Sequence, residues 1–594
     1  MDSKYKWNFE DLYESNNQFE KDINKIYELL NEIELYKGKI AESSQNIYEC
    51  YKKYEEIVEI FDKAYAYGML KYHQNMADNS NIEIFKKVET INADISLKTA
   101  FIVPEITDIE ESKIKTFIKE NDNLKRYERL LNEIIEDKKH VLSKEEESIL
   151  ANFSDIFNAP ENTYDIFTNT EFEFPSIKDE NGNEVEITEG SYSKFMESHN
   201  KQVRKDAYNA MFSLYEKHIN TISELYLARV KADTTISKIR KYKSSLEKAV
   251  KNDDATIKVY NSLIDVVNKN LDVNYKYIKL KKQMLKTDEF HKYDMFVNLY
   301  KDTSTDIEYE DAKKTVLEGL SILGEKYTNK LKEAFENRWI DVYEEPNKRT
   351  GAYSCGVYGV HPFVLTNFKG STRDVSTIAH ELGHSMHSYY SNSSQNALEA
   401  NYTIMVAEVA STVNEILLSQ YLIDNEKDLN KKAALINERI DDLRSTLITQ
   451  SMFAEFEKIV HERVENKEII TSKELCEIYY NLCKKYFGNE VILDDKVKYE
   501  WARIPHFYSC FYVYKYATGI SAAIAIANKI LDKEEGILEK YIEMLKQGRT
   551  KKSVDLLKMV GVDLESKEPY QKAFDFYKEN IEELEKIVEL LNNK

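Results

Sequence analysis

The chain is 594 residues long and carries 104 acidic against 83 basic side chains, a formal net charge of −21. That balance argues against nucleic acid as a partner. Five cysteines, an odd number without paired spacing, argue against a disulfide framework and for a reducing compartment. The longest apolar stretch, near residues 520–527, is far too short to cross a bilayer, and residues 1–8 hold charge but no apolar signal core. The expected location is the cytoplasm, with no membrane partner.

With only 16 glycines and 7 prolines, the chain predicts long helices joined by little loop. Periodic stretches rich in Glu, Lys, Leu and Ile at 15–66, 205–285 and 570–590 agree with that. Residues 1–155 read as helices charged on one side. A hairpin is expected next, Glu171–Ile177 against Val185–Thr188, because Asn181-Gly182 is a strong turn signal. A boundary near 190 then divides an amino-terminal helical region, 1–190, from a catalytic region, 191–594. Helices resume to about 340, a strand–helix core occupies 350–420, and helices continue to the end with Gly519 and Gly548 as punctuation. The expected fold class is mainly α with a small sheet.

The most informative residues are His380-Glu381-Leu382-Gly383-His384. Two histidines four apart stand on one helix face and can present two imidazole nitrogens to one zinc ion. The intervening glutamate can act on the water at such a site. Asp374 is the expected N-cap of this helix and Asn392 its end. Gly383 costs about 1 kcal/mol relative to alanine in a helix, so its presence suggests close approach of another backbone or a ligand. His387 flanks the same face, either as a partner of the site, as a substrate contact or as a partly exposed polar residue.

A catalytic zinc needs a third protein ligand and one open position. Glu399, Glu408 and Glu415 are the downstream carboxylates. Glu408 lies in the apolar run 404–410, where a buried carboxylate is costly unless paired or bound to a cation; it is the expected ligand. Glu415, two turns on, is an expected supporting residue, and Ser411 and Thr412 could hydrogen-bond the ligands. Upstream, glycines with aromatic and β-branched residues over 351–368 argue extended structure. An exposed strand edge there, around His361 and Val364, could hold a peptide by backbone pairing. Downstream, tyrosines and His506 crowd residues 501–519; such donors can stabilise an oxyanion, although an aromatic stripe is more often core.

Taken together, His380-Glu381-x-x-His384-x-x-His387 with Glu408-Val409-Ala410-Ser411 resembles the thimet oligopeptidase family of zinc peptidases, in particular its bacterial branch, oligoendopeptidase F. Trp7-Asn8-Phe9-Glu10-Asp11-Leu12-Tyr13, Gly351-Ala352-Tyr353-Ser354, Ile504-Pro505-His506-Phe507-Tyr508 and Tyr516-Ala517-Thr518-Gly519 carry the same likeness across nearly the whole chain. The resemblance implies a zincin-type, two-lobed helical clamshell with a deep channel that admits short unfolded peptides. It implies His380, His384 and Glu408 as ligands of one zinc per chain and Glu381 as general base. It also implies His506 with tyrosines at the transition state, Tyr508 and Tyr514 being the choices and Tyr512 a competitor. His361, Val364, His387 and Tyr512 are the expected substrate contacts.

The expected activity is therefore hydrolysis of internal bonds of oligopeptides. A carboxypeptidase on a similar scaffold is the alternative, with Arg503 as the cation for a terminal carboxylate. A helical peptide-binding protein with an inert motif is a more distant one. The oligomeric state, monomer or small homo-oligomer, stays open.

Overall fold

The computed structural model describes residues 3–297, 299, 300 and 306–593. It is mainly helical, with two small sheets. The chain divides into two compact units: Met1–Lys139, Ser304–Tyr421 and Ile526–Gly561 form one, and His140–Thr303, Leu422–Ala525 and Val562–Lys594 form the other. The boundary expected near residue 190 is a division along the sequence; these spatial units are each drawn from three separated segments.

In the first unit, helices Asn16–Ile33, Ser44–Gln74 and Asn79–Thr99 start where sequence chemistry says they should. Ser15, Ser43 and Asp78 each accept a backbone N–H of the first turn, which satisfies donors a helix start leaves orphaned. Their apolar faces, Phe19, Ile26, Leu30, Ile47, Ile57 and Leu70 among them, pack into one core. The three-stranded sheet of this unit consists of β3 (Ile340–Tyr343), β4 (Tyr353–Cys355) and β5 (Phe363–Phe368); β1 (Ser176–Lys178) and β2 (Glu184–Glu186) belong to the other unit. Trp7 ties the amino terminus to this sheet, its indole N–H reaching the carbonyls of Trp339 at 3.0 Å and Val364 at 2.9 Å.

The strand order β3-β5-β4 corrects one expectation. Residues 363–368 are the middle strand, parallel to β3 and antiparallel to β4, not an exposed edge. Val364 is wholly buried. Backbone groups of a central strand are spent on its two neighbours, so no peptide can pair with it; the outer edge of the sheet on this side is β4.

The second unit holds the expected hairpin, β1 (Ser176–Lys178) against β2 (Glu184–Glu186), with Gly182 at φ +82° in the turn. It is shorter than the sequence suggested, because Phe167–Glu171 extends the preceding helix as a π-helical turn. The hairpin packs on Lys201–Lys217, and Ile219–Ile239, Gln450–Glu465, Ser472–Phe487 and Glu568–Asn592 are further helices of the unit. Much of the tyrosine content is buried here with its hydroxyls satisfied: Tyr260 donates to the Ala454 carbonyl, Tyr277 to Asp441 and Tyr577 to Asn274. A buried phenol needs such a partner.

The helix Thr372–Asn392 carries the histidine motif and ends at Asn392 as expected. Its N-cap is Ser371 rather than Asp374. Ser371 Oγ accepts the Asp374 N–H at 3.1 Å while Asp374 accepts the Ser371 N–H at 2.9 Å, a reciprocal capping box. Gly383 meets the helix Ile404–Asn425: a Cβ at this position would lie 2.6 Å from Ser411 Cα and 2.8 Å from the Ala410 carbonyl oxygen. Asn414 Nδ2 joins the same two helices through the Ala379 carbonyl at 3.0 Å. Replacing Gly383 by alanine should raise helix propensity yet destabilise the protein by about 1–3 kcal/mol, since backbone cannot yield as a side chain would. Thermal unfolding of Gly383→Ala checks this; an unchanged or higher Tm would contradict the close packing.

Candidate metal centre

The two helices bring three ligand atoms to one point. His380 Nε2 lies 3.1 Å from His384 Nε2 and 3.7 Å from Glu408 Oε2, and His384 Nε2 lies 3.9 Å from the same oxygen. Glu408 is not buried as expected; its side chain is 43 % exposed. Met405, Val406, Val409 and Ala410 take the buried face of the helix, which turns Glu408 toward the histidines. Ser411 Oγ donates to the Glu408 carbonyl at 3.0 Å.

Glu415 accepts a hydrogen bond from His380 Nδ1. In the neutral ring this bond places the proton on Nδ1 and leaves the Nε2 lone pair aimed at His384. Burial, with the charge of His380, pushes His384 down to about 3, so its imidazole is neutral. Burial also lowers His380, but the hydrogen bond and charge of Glu415, then Glu381 and Glu408, outweigh it and bring that ring to about 9. The surroundings thus favour positive charge where lone pairs of two imidazoles and a carboxylate converge. Two histidine nitrogens and one carboxylate oxygen form a donor set that suits zinc with one position left open, and these residues fit such a cation.

Glu381, between the histidines, is 6 % exposed. Burial, against the opposing charge of His380 but with those of Glu408 and Glu415, raises its carboxyl to about 7. The Ser354 N–H of β4 points at this carboxylate and holds it; Ser354 Oγ also lies 2.8 Å from Ser385 Oγ on the motif helix. The outer edge of β4 therefore runs beside Glu381.

The model of Peptidase family M3 matches residues 194–576, and that of Oligopeptidase F matches residues 105–174. The chain belongs to peptidase family M3. It is a metallopeptidase of that family. Oligopeptidase PepF of Bacillus subtilis is 39 % identical over 582 residues, covering 98 % of this chain and 87 % of the relative. An Oligoendopeptidase F homolog of Borreliella burgdorferi is 35 % identical over 584 residues, covering 98 % of each. Among solved structures, oligoendopeptidase-F from Enterococcus faecium aligns with TM-score 0.74 at 30 % identity over 97 % of this chain and 99 % of that one. A Chlamydophila abortus crystal structure aligns with TM-score 0.93 at 31 % identity over 99 % of both.

Within this M3 chain the other expected site residues fall differently. His387 is neither exposed nor hydrogen-bonded through Nδ1; it is buried flat against Tyr402, ring centroids 3.5 Å apart. Tyr402 in turn reaches Ser388 Oγ at 2.8 Å, so the pair braces the motif helix from behind. Nothing in the sequence around Tyr402 signalled that contact. His361 stacks on Trp339 and places Nε2 3.0 Å from Asp11, fully engaged within its own unit.

In the second unit His506 is exposed. Tyr508 and Tyr514, chosen from sequence as its companions, are core residues: Tyr508 stacks on Tyr164 with its hydroxyl buried and unpartnered, and Tyr514 donates to Asp253 at 2.9 Å. The rings beside His506 are Tyr512 and Tyr516, with the Tyr516 hydroxyl 3.5 Å from His506 Nε2. Tyr516 was missed because the turn before the helix Tyr514–Leu531 breaks any fixed spacing from residue 506. Arg503, the cation of the carboxypeptidase alternative, is paired with Glu189 at 2.7 Å. No helix among the described residues is long and apolar enough to cross a membrane, and all five cysteines are unpaired.

Glu415 holds His380 without joining the three converging atoms. Glu415→Ala should weaken divalent-metal affinity about 10–100-fold, read by competition with a chromophoric chelator. Affinity equal to wild type would show that the Nδ1 contact does not orient the ring.

Proposed function

We propose that this M3 metallopeptidase is a zinc-dependent endopeptidase of short, unfolded oligopeptides. The observation that carries the proposal is the convergence of His380, His384 and Glu408 around one point, with Glu381 beside it and Glu415 behind it. Relatives named oligoendopeptidase F, matched end to end, support the substrate class.

His380, His384 and Glu408 would hold the zinc. When bound, zinc supplies a Lewis acid that polarises the scissile carbonyl and makes water a better nucleophile. Glu381 takes the proton of the attacking water on its carboxylate and passes it to the departing amine nitrogen. Burial that already lifts this carboxyl toward neutrality suits both halves of the transfer. The Ser354 N–H keeps the Glu381 carboxylate in one orientation. The substrate backbone pairs with the outer edge of β4, which replaces the buried strand 363–368 in that role. His506, with Tyr512 and Tyr516 in place of Tyr508 and Tyr514, supplies the donors for the oxyanion; their mutual proximity and the exposure of His506 support the choice.

Glu381→Gln should abolish turnover of an internally quenched peptide while zinc content stays at the wild-type level; retained turnover would remove the base assignment. Glu408→Ala should lose zinc and activity together. His506→Ala should lower kcat about 10²–10³-fold, whereas Tyr508→Phe, which removes a hydroxyl without a partner, should leave it near wild type. Peptides blocked at both ends separate the modes of cleavage: if they resist hydrolysis while free peptides are trimmed from the carboxyl end, the enzyme is a carboxypeptidase.

A further inference from the structure

A second group of metal-ligand side chains lies wholly inside the other unit. Asp233 on helix Ile219–Ile239, His461 on helix Gln450–Glu465, and Cys510, in the segment after His506, each offer one atom within 4.8 Å of the other two. His461 Nε2 is 3.9 Å from Cys510 Sγ and 3.9 Å from Asp233 Oδ2. Donors bound to one tetrahedral zinc at ~2.0–2.3 Å stand ~3.4–3.6 Å apart. The two pairs that meet at His461 need to contract by only a few tenths of an ångström.

The hydrogen bonds around it have the pattern of a ligand set. His461 Nδ1 pairs with the Glu457 carbonyl at 2.9 Å. In the neutral ring that contact puts the proton on Nδ1 and aims the Nε2 lone pair at the carboxylate and the sulfur, the arrangement second partners of metal-bound histidines impose. Arg229 Nε donates to Asp233 Oδ2 at 3.1 Å and orients the carboxylate. Both Asp233 and His461 are buried. A Cys–His–Asp catalytic relay is excluded by the same geometry, since the carboxylate and the sulfur both face Nε2 and neither faces Nδ1.

An independent observation is a buried acceptor left unsatisfied beside the group. Glu457, one turn before His461, has no exposed surface; one oxygen accepts the Phe511 N–H and Oε2 has no partner at all. The buried Tyr226 hydroxyl, on which Glu457, Cys510 and Asp233 act electrostatically, is likewise without a partner. A buried carboxylate oxygen left unsatisfied is expensive. A divalent ion among Asp233, His461 and Cys510 would compensate it electrostatically.

We propose that Asp233, His461 and Cys510 form a second, structural site for a zinc-class transition-metal ion, with solvent in the fourth position. The thiol gives up its proton to solvent as the Cys510 sulfur–metal bond forms, so occupancy rises with pH. Such an ion joins two helices to the segment between His506 and Tyr512 and fixes the backbone that carries them. The chain would then hold two ions rather than one, and this site stands independently of the roles assigned to the first.

The candidate first centre contains no sulfur, which makes cobalt a selective probe. Metal-free full-length protein, as wild type and as His380→Ala/His384→Ala, is titrated with Co²⁺ and followed for the near-ultraviolet thiolate-to-cobalt charge-transfer band. The expected result is a band in both, one cobalt per chain in the double variant, and loss of the band in Cys510→Ser with at least tenfold weaker binding in Asp233→Asn. Zinc should also raise the Tm of the double variant but not of the double variant that also carries Cys510→Ser. A double variant that binds no cobalt, or binds it without the band, overturns the proposal, as does a band that survives Cys510→Ser. In those cases His461 is an imidazolium held between Asp233 and Glu457. Because absence of the band in the double variant is decisive alone, misfolding of Cys510→Ser would not rescue the idea.

Discussion

The contact between Gly383 and the backbone at Ala410 and Ser411 is the constraint on which the first centre depends. Two helices cannot bring side chains of one and the other to a common atom unless their axes lie close, and any Cβ at residue 383 would hold them apart. A glycine inside a helix weakens it locally. Here that loss permits the approach that sets Glu408 opposite His380 and His384. Asn414, spanning from the same helix to the Ala379 carbonyl, fixes the rotation of one helix against the other, and Tyr327 satisfies the remaining oxygen of that amide. The same rotation carries Glu415 to His380 Nδ1.

Electrostatics follow from this packing. Glu381, Glu408 and Glu415 crowd two imidazoles in a partly desolvated place, and without a positive charge that arrangement is unfavourable. The burial of Glu381 and its hydrogen bond from β4 mean that the sheet, too, has a direct part in the centre. β4 is short, yet its outer edge places an N–H on the carboxylate. Its inward edge is occupied by β5, which is anchored in turn by Trp7 from the far end of the sequence. The amino-terminal segment thereby contributes to the position of the centre through three layers of contact.

The second unit solves a different problem. It is dense in tyrosine, and phenols bring large apolar area at the expense of a polar atom that must be satisfied. Most are, by carboxylates and backbone carbonyls of neighbouring helices. The region around Glu457 is where this breaks down, with several buried polar atoms left over among groups able to ligate a metal. Unsatisfied groups that cluster, rather than scatter, are a sign of function or of a missing partner.

By itself the sequence determined what depends on local spacing. The helical class, the carboxyl end of the motif helix, the hairpin turn at Asn181-Gly182, the shared face of His380 and His384 and the anomaly of Gly383 all reflect periods and turn propensities within a few residues. Family likeness, carried by short motifs, was legible for the same reason. Only the tertiary structure decided the rest. Which strand of the sheet is an edge depends on pairing with residues 340–343, distant in sequence. Whether Tyr508, Tyr514 or Tyr516 stands beside His506 depends on how one irregular turn feeds a helix. Whether Glu408 is buried, and whether Asp233, His461 and Cys510 meet, depends on the packing of elements up to hundreds of residues apart. Those facts arise from which faces are covered, and no local pattern of residues encodes what covers a face.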